Sequence, residues 1–339
     1  MKKIVTLGEI MLRFSTSLGE RLSQTNHLNM HYGGAESNVA VALSNFGHDV
    51  YFMSKVPDNP LGLAVERHLR SFNVHTDYLL KGGERLGTYY LETGVGGRSA
   101  QVTYDRKYSS FSKLTLEELE LDFDEVFSNA DLFHISGITP ALSERLKEMT
   151  LYALKKTREH GVMTSFDFNY RAKLWSHKEA SETIQELLPY VDICSCGELD
   201  AVYLLGMEEP SDSTNKLERL HYYYKNIQEK YPNIQCFSST IREVLSASSN
   251  RLQGIFYRDG DLYQSKVYDI NHIVDRVGAG DAFASGILHG ILEKAAPQQI
   301  VSFATAAAAL KHTIHGDCNA FSLEEIIAMA ENESGKIVR

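Results

Sequence analysis

The chain has four cysteines and a single tryptophan among 339 residues. Cys194, Cys196, Cys236 and Cys318 do not make a disulfide scaffold, and Cys194-x-Cys196 lacks the spacing of a metal finger. The apolar setting of that pair, beside Val191 and Ile193, reads as buried strand thiols in a reduced compartment. No apolar run approaches the roughly 20 residues that a transmembrane helix needs. Ile4–Ile10, behind two lysines, is too short and too interrupted for a signal peptide. Positive charge is in deficit: 34 Lys and Arg against 44 Asp and Glu give a formal net charge of −10. That balance argues against nucleic acid as the main partner. A small anionic ligand stays open, because two arginines can reverse the field inside a cleft. A cytoplasmic protein with neither nucleic-acid nor membrane partners is expected.

Three catalytic fingerprints are absent as well. There is no Gly-x-x-x-x-Gly-Lys-Ser/Thr, which removes a P-loop enzyme. No Gly-x-Gly-x-x-Gly follows the first strand, which weakens a nicotinamide dehydrogenase. No Gly-x-Ser-x-Gly elbow is present, which disfavours an α/β-hydrolase.

What is present is alternation. Ile4–Leu7 reads as a buried strand ending at Gly8. Val39, Ala42, Leu43 and Phe46 share a helix face that Gly47 closes. Val50–Met53 is a strand and Gly62–Phe72 a helix; Asp131–Gly137 is a strand and Leu142–His160 a helix; Val162–Asp167 and Val191–Cys194 are further strands. The pattern predicts an α/β fold with a doubly wound, mostly parallel sheet flanked by helices. Thr88–Glu92 and Ala100–Arg106, joined through Gly94, Gly96 and Gly97, read instead as an antiparallel hairpin. With strands from the polar segment after Phe14, they predict a small β lid built from about 12–33 and 86–111 on a single domain spanning 1–339, an edge extension of the main sheet being equally allowed by the sequence. Glu208–Glu218 reads as a loop, His134 as a satisfied core histidine, and Trp175 as a packing anchor.

The richest segment is Asp275–Phe283, in which the apolar pair Ile273-Val274 reads as the end of a buried strand that restarts as a helix after Gly278-Ala279-Gly280. Amides at such a helix N-terminus favour a phosphate or a transferring phosphoryl group. Asp281 would repel a resident phosphate, but it suits a base that takes the proton of a hydroxyl attacking one. On this segment alone, a capped strand-to-helix turn is an equal reading.

Gly33–Ala40, with Leu43 and Gly47, and Asp275–Phe283 together resemble the two signatures of the ribokinase-like (PfkB) sugar kinases, in the right order and over essentially the whole chain. Tyr89, Val102–Arg106, His134–Leu142, Asp167–Trp175 and Arg276 are similar to the members acting on 2-keto-3-deoxygluconate. The resemblance implies a carbohydrate kinase using ATP and Mg²⁺, with Asp281 as base and the Gly278, Ala279 and Gly280 amides as anion hole. It implies that Gly34, Asn38, Tyr89, Tyr104, Arg106, Ile138, Arg171, Asp281 and Asp317 surround the substrate. Asn169, Arg171, Ser239, Thr240, Arg242, Gly278, Gly280 and Thr305 are the implied nucleotide contacts. Gly197-Glu198-Leu199-Asp200 stands where the family carries a metal-associated Asn-x-x-Glu, which leaves Glu198 and Asp200 as the metal candidates. Arg106 and Arg171 suit the carboxylate of a sugar acid, since guanidinium matches it with paired donors. A neutral-sugar kinase and a non-catalytic sugar sensor are the competing readings. An exposed lid edge favours a homo-oligomer, dimer or higher.

Overall fold

Apolar strand cores ending at glycine or serine, each followed by a helical repeat, produce an alternating chain in the computed structural model, which describes residues 1–118, 123–210 and 215–331. The first part comprises β1 (Lys3–Leu7), β2 (Met11–Ser15), β3 (Asn29–Gly33), α1 (Ala35–Asn45), β4 (Asp49–Val56), α2 (Pro60–Ser71), β5 (Leu79–Lys81), β6 (Thr88–Glu92) and β7 (Gln101–Asp105). Next come α3 (Phe123–Phe127), β8 (Leu132–Ser136), α4 (Ile138–Ala141), α5 (Glu144–Glu159), β9 (Met163–Asp167), α6 (His177–Leu187), β10 (Ile193–Ser195), α7 (Glu198–Tyr203) and α8 (Lys216–Lys230). Strands β11 (Cys236–Ser246), β12 (Ser249–Arg258), β13 (Asp261–Gln264) and β14 (Tyr268–Asn271) precede α9 (Ala279–Leu292), α10 (Pro297–Lys311) and α11 (Leu323–Ala330).

The main sheet has ten strands in the order β13-β12-β11-β10-β9-β8-β1-β4-β5, with β14 also on β12. From β5 to β11 every pairing is parallel; β12, β13 and β14 add an antiparallel edge. In β1, Ile4, Val5 and Leu7 are fully buried, as a parallel strand covered on both faces requires. Apolar clusters lie on the two faces of the sheet, one around Phe133, Phe166 and Leu187, the other around Val39, Phe283 and Ala306. Strand order reverses at β1, whose neighbours are β4 and β8, and ligands of such sheets bind beyond the strand ends at this point.

The small sheet runs β3-β2-β6-β7 and occupies the place of the expected lid. Its β2 pairs antiparallel with β3 and parallel with β6, and β6 and β7 form the expected hairpin. Tyr89 pairs with Tyr104 across it, while Tyr90 points the other way and stacks on Phe14 at 5.4 Å.

Several expectations need correction. Ile273-Val274 is not a strand: it follows β14 as an irregular segment tied down by Val274 N–H to the His312 carbonyl at 2.8 Å. The Leu142–His160 helix is trimmed to α5, Glu144–Glu159, under a Ser143 cap that accepts from Leu146 N–H, and the separate short α4 precedes it. The Glu208–Glu218 loop is shortened by α8, which starts at Lys216; 211–214 lie outside the described residues. The four cysteines are free thiols. His134 is buried with Nδ1 3.0 Å from Ser165 Oγ, and burial pushes it down to about 4.

Candidate active site

The turn before α9 is shaped by one glycine and one buried arginine. Gly278 caps the helix with φ 82°, a conformation that costs other residues, and a Cβ there would overlap the Asp317 carbonyl. Arg13, on β2, is 2 % exposed and bonds Asp275 at 2.5 Å and Asp317 at 2.8 Å. Burial works against its charge, but Asp317 and Asp275 hold it above the ordinary arginine range. Asp275 also accepts from Val277 N–H at 3.0 Å and Gly316 N–H at 3.1 Å. The small sheet is thereby fixed to the loop that precedes α9.

Asp281 sits in the first turn of α9, where amides lack intrahelical acceptors. Asn38, on α1, donates its amide to Asp281 Oδ2 at 2.7 Å. Burial pushes Asp281 up to about 7; Asn38 and Arg171 oppose that, and Glu36 and Asp317 add to it. Asp167, at the end of β9, is likewise pushed up to about 7, by burial first and then by Asp281, with Arg171 opposing. Two carboxylates in one field thus compete for ionisation near neutral pH.

Asp281 and Asp167 face a cavity of about 390 Å³. Of the residues named from the sequence, Gly34, Asn38, Tyr89 and Tyr104 line it on the side of α1 and the small sheet. Arg106, Ile138, Asn169 and Arg171 line it beyond β7, β8 and β9, and Arg242, Gly278, Gly280 and Asp317 complete it. Tyr89 donates its hydroxyl to Asp317, so this pair is a fixed wall. Arg106 is held by Glu9, with Nε at 2.8 Å from Oε2, and its guanidinium lies 5.7 Å from the Tyr104 ring centre. The neighbouring Asp105 pairs with Arg85 at 2.7 Å and not with Arg106. Asn169 takes φ 40°, which asparagine tolerates, and its N–H bonds Asp167 at 3.2 Å. A larger hollow of about 1410 Å³ adjoins, sharing Tyr104, Arg106 and Arg171, but neither Asp281 nor Asp167 lines it.

Other named residues stand elsewhere. Thr305 is fully buried inside α10, where its hydroxyl donates to the Val301 carbonyl at 2.7 Å and packs on Gly254, outside the lining of the cavity that Asp281 faces. Ser239 accepts from Tyr224 Oη at 2.7 Å, and Thr240 is exposed; both lie outside the cavity lining. The Ala279 amide is turned to the Arg276 carbonyl at 3.4 Å, so it is a weaker anion donor than its neighbours. Glu198 is paired with Arg219 at 2.6 Å on the outer side of α7 and does not fit a metal ligand. Asp200 accepts from Gly197 N–H at 2.8 Å; burial raises it, and its charge raises Asp167 in turn.

Sequence reasoning gave no site role to Glu9, Glu36, Asp167, Arg13 or Arg276, although Glu36, Asp167 and Arg276 stand in the segments that carry the family resemblance. Glu36 is buried and accepts from Ser136 N–H at 2.9 Å, Ser136 Oγ at 2.6 Å and Thr139 Oγ1 at 3.2 Å. Burial raises it. The available signal for Glu9 and Asp167 was position, one carboxylate two residues past β1 and the other closing β9. Arg13 gave none, because its partners lie more than 250 residues away. Among the described residues, neither Arg171, Arg242 nor Arg276 is in an ion pair; Arg276 donates to the Ser246 and Ala247 carbonyls.

Comparison with known proteins places the chain. The model of the pfkB family of carbohydrate kinases matches residues 1–324. A 2-dehydro-3-deoxygalactonokinase of Haloferax volcanii is 33% identical over 326 residues, covering 96% of this chain and 95% of that protein. A 2-dehydro-3-deoxygluconokinase of Bacillus subtilis is 29% identical, with 96% and 94% covered. The crystal structure of the Thermotoga maritima 2-dehydro-3-deoxygluconokinase superposes with a TM-score of 0.93 at 41% identity, covering 98% of this chain and 100% of that one.

Proposed function

The chain belongs to the pfkB family of carbohydrate kinases, and on that premise we propose that it phosphorylates a sugar acid with ATP, taking 2-keto-3-deoxygluconate to 2-keto-3-deoxy-6-phosphogluconate. One observation carries the reading: a raised carboxylate at a helix N-terminus faces a cavity whose Arg171, Arg242 and Arg276 have, among the described residues, no carboxylate within ion-pair distance. Such a set is incomplete without anions. A sugar-acid carboxylate and a triphosphate supply them.

In the mechanism, Asp281 accepts the proton of the primary hydroxyl as its oxygen attacks the γ-phosphorus. The bond from that phosphorus to the bridging oxygen breaks, and ADP leaves. The Gly278 and Gly280 amides, with the α9 dipole, stabilise charge on the transferring group. Asn38 aims Asp281. Arg171 holds the substrate carboxylate, with the one terminal nitrogen of Arg106 that Glu9 leaves unengaged as a second donor. Arg242 and Asn169 stand for the nucleotide phosphates. Asp167 and Asp200 fit Mg²⁺: both are half-buried oxygen donors raised by desolvation, and neither has a lysine or arginine within 4.0 Å among the described residues. When bound, the ion supplies neutralisation of phosphate charge. The whole chain would act as one kinase domain whose small sheet is the lid, and the open edge at β7 invites a second copy.

The test is ADP release by purified protein on a panel of sugar acids, including the gluco and galacto forms of the 2-keto-3-deoxy acid, and neutral sugars. Equal use of neutral sugars and acids overturns the sugar-acid assignment. No ADP with any sugar, under conditions where a known pfkB kinase turns over, favours a sensor.

A further inference from the structure

At the far end of α9, away from Asp281, three side chains converge. His48 stands in the turn between α1 and β4, and His289 and Glu293 are one turn apart on α9. His48 Nε2 lies 2.9 Å from His289 Nδ1, and one oxygen of Glu293 lies within 4.8 Å of both ring nitrogens. We propose that His48, His289 and Glu293 form a binding site for a divalent zinc-class cation, with water in the fourth position.

A plain hydrogen bond between the buried His48 and the half-buried His289 explains only two of the three groups. The Glu293 side chain makes no hydrogen bond or ion pair with the described residues, although its charge is felt at Lys2, and it stands at the C-terminal cap of α9, the negative end of the helix dipole. A carboxylate there is unfavourable alone and favourable as a cation ligand. The rings are also held in place: His289 packs against Phe46 and Phe303, each with centroids 5.2 Å away.

Geometry and chemistry agree on the ion. Two nitrogens on tetrahedral zinc, each about 2.0–2.1 Å from it, stand about 3.3 Å apart, so the pair opens by only about 0.4 Å. Whichever ring donates in the apo pair moves its proton to its other nitrogen, so no net proton is lost. Two imidazoles and one carboxylate suit zinc and its neighbours, while Mg²⁺ prefers oxygen alone. The eight residues from Asp281 to His289 place the ion about 12 Å along the helix from the reacting group. It would clamp the α1–β4 turn to α9 without touching the chemistry.

Metal-free full-length protein is titrated with Zn²⁺ by equilibrium dialysis, with melting temperature and the visible spectrum of the Co²⁺ form read in parallel. We expect one Zn²⁺ per chain at sub-micromolar affinity, a raised melting temperature and a tetrahedral Co²⁺ spectrum. Glu293→Gln, at an exposed position, should weaken binding at least about tenfold, the lower end of what loss of even a supporting group costs. The double variant His48→Gln/His289→Gln should abolish binding and leave ATP turnover unchanged. Equal binding by wild type and both variants, or no binding by wild type, overturns the proposal. If the double variant does not fold, Glu293→Gln and the wild-type Co²⁺ spectrum decide the matter.

Discussion

Replacing Asp281 by Asn separates catalysis from stability. Loss of a general base costs about 10²–10⁴ in turnover, while the amide oxygen can still accept from Asn38. Stability moves the other way. Asp281 is raised from its ordinary 3.8 to about 7, so between those values the native state holds a proton that the unfolded chain has released. The sign follows: stability falls as pH rises through that window, and the full cost is present above it. A shift of about three units is worth about 4 kcal/mol. The carboxylate faces a water-accessible cavity, so about half of that, about 2 kcal/mol, is a fair magnitude. Asparagine escapes the cost. The variant should therefore melt about 3 °C above wild type at about pH 8, with the gap closing toward about pH 4. ADP release gives the first quantity, and scanning calorimetry at several pH values gives the second. Turnover within a few-fold of wild type, or a variant less stable at the higher pH, would refute the reasoning.

Wild-type kcat/KM should rise with pH through about 7, because the base must be ionised to accept a proton and Asp281 sets that limb; a profile flat across neutral pH counts against it. Arg171→Ala should raise KM for the sugar acid about 10–100-fold, the worth of a charge-assisted bond pair, with little change for ATP. The same variant should move the acid limb upward, since Arg171 opposes the rise of both Asp281 and Asp167; an unmoved limb leaves it a binding role alone. Arg13→Ala strands Asp275 and Asp317 as buried carboxylates and should cost about 3–5 kcal/mol in chemical denaturation, while Arg13→Lys should recover only part, having no fork to span both acids.

How much was legible follows from where each signal sits along the chain. The β1, β4, β8 and β9 strands were readable because each is a short apolar run ended by a small residue. Strands β11–β14 were not, because the outer half of β11, from Thr240 to Leu245, is exposed at every position but the half-buried Ile241 and so shows neither a buried apolar run nor a period-2 pattern. In the site, glycines and Asp281 were readable as a local strand-to-helix grammar. Arg106 was readable as a charge near the cavity, but its partner Glu9 is 97 residues away, and nothing local records that distance. Thr305 failed for the opposite reason: α10 is buried nearly all round, so no periodicity told its cavity side from its packing side. Glu198 failed because the register of α7 turns it toward Arg219 on α8, a packing relation between helices that no motif encodes.

The charge of the whole chain and the charge of its site point in opposite directions, and the pairing pattern explains why. The acids that line the cavity are largely spoken for: Glu9 by Arg106 and Ser109, Asp317 by Arg13 and Tyr89, Glu36 by two hydroxyls and an amide. Asp167 and Asp281 are raised to about 7 and carry only part of their charge near neutrality. What remains is the positive field of Arg171, Arg242 and Arg276, so a protein of net charge −10 presents a cationic pocket. That field has two effects on one reaction. It gathers anionic substrates, and through Arg171 it draws the Asp281 pKa down toward the working range of a base. Anions arriving in the cavity push that value up again, so a kinase built this way needs both its arginine and the cation accompanying the nucleotide to keep Asp281 ionised. The dependence on positive charge is thus a property of the base itself as well as of phosphate binding.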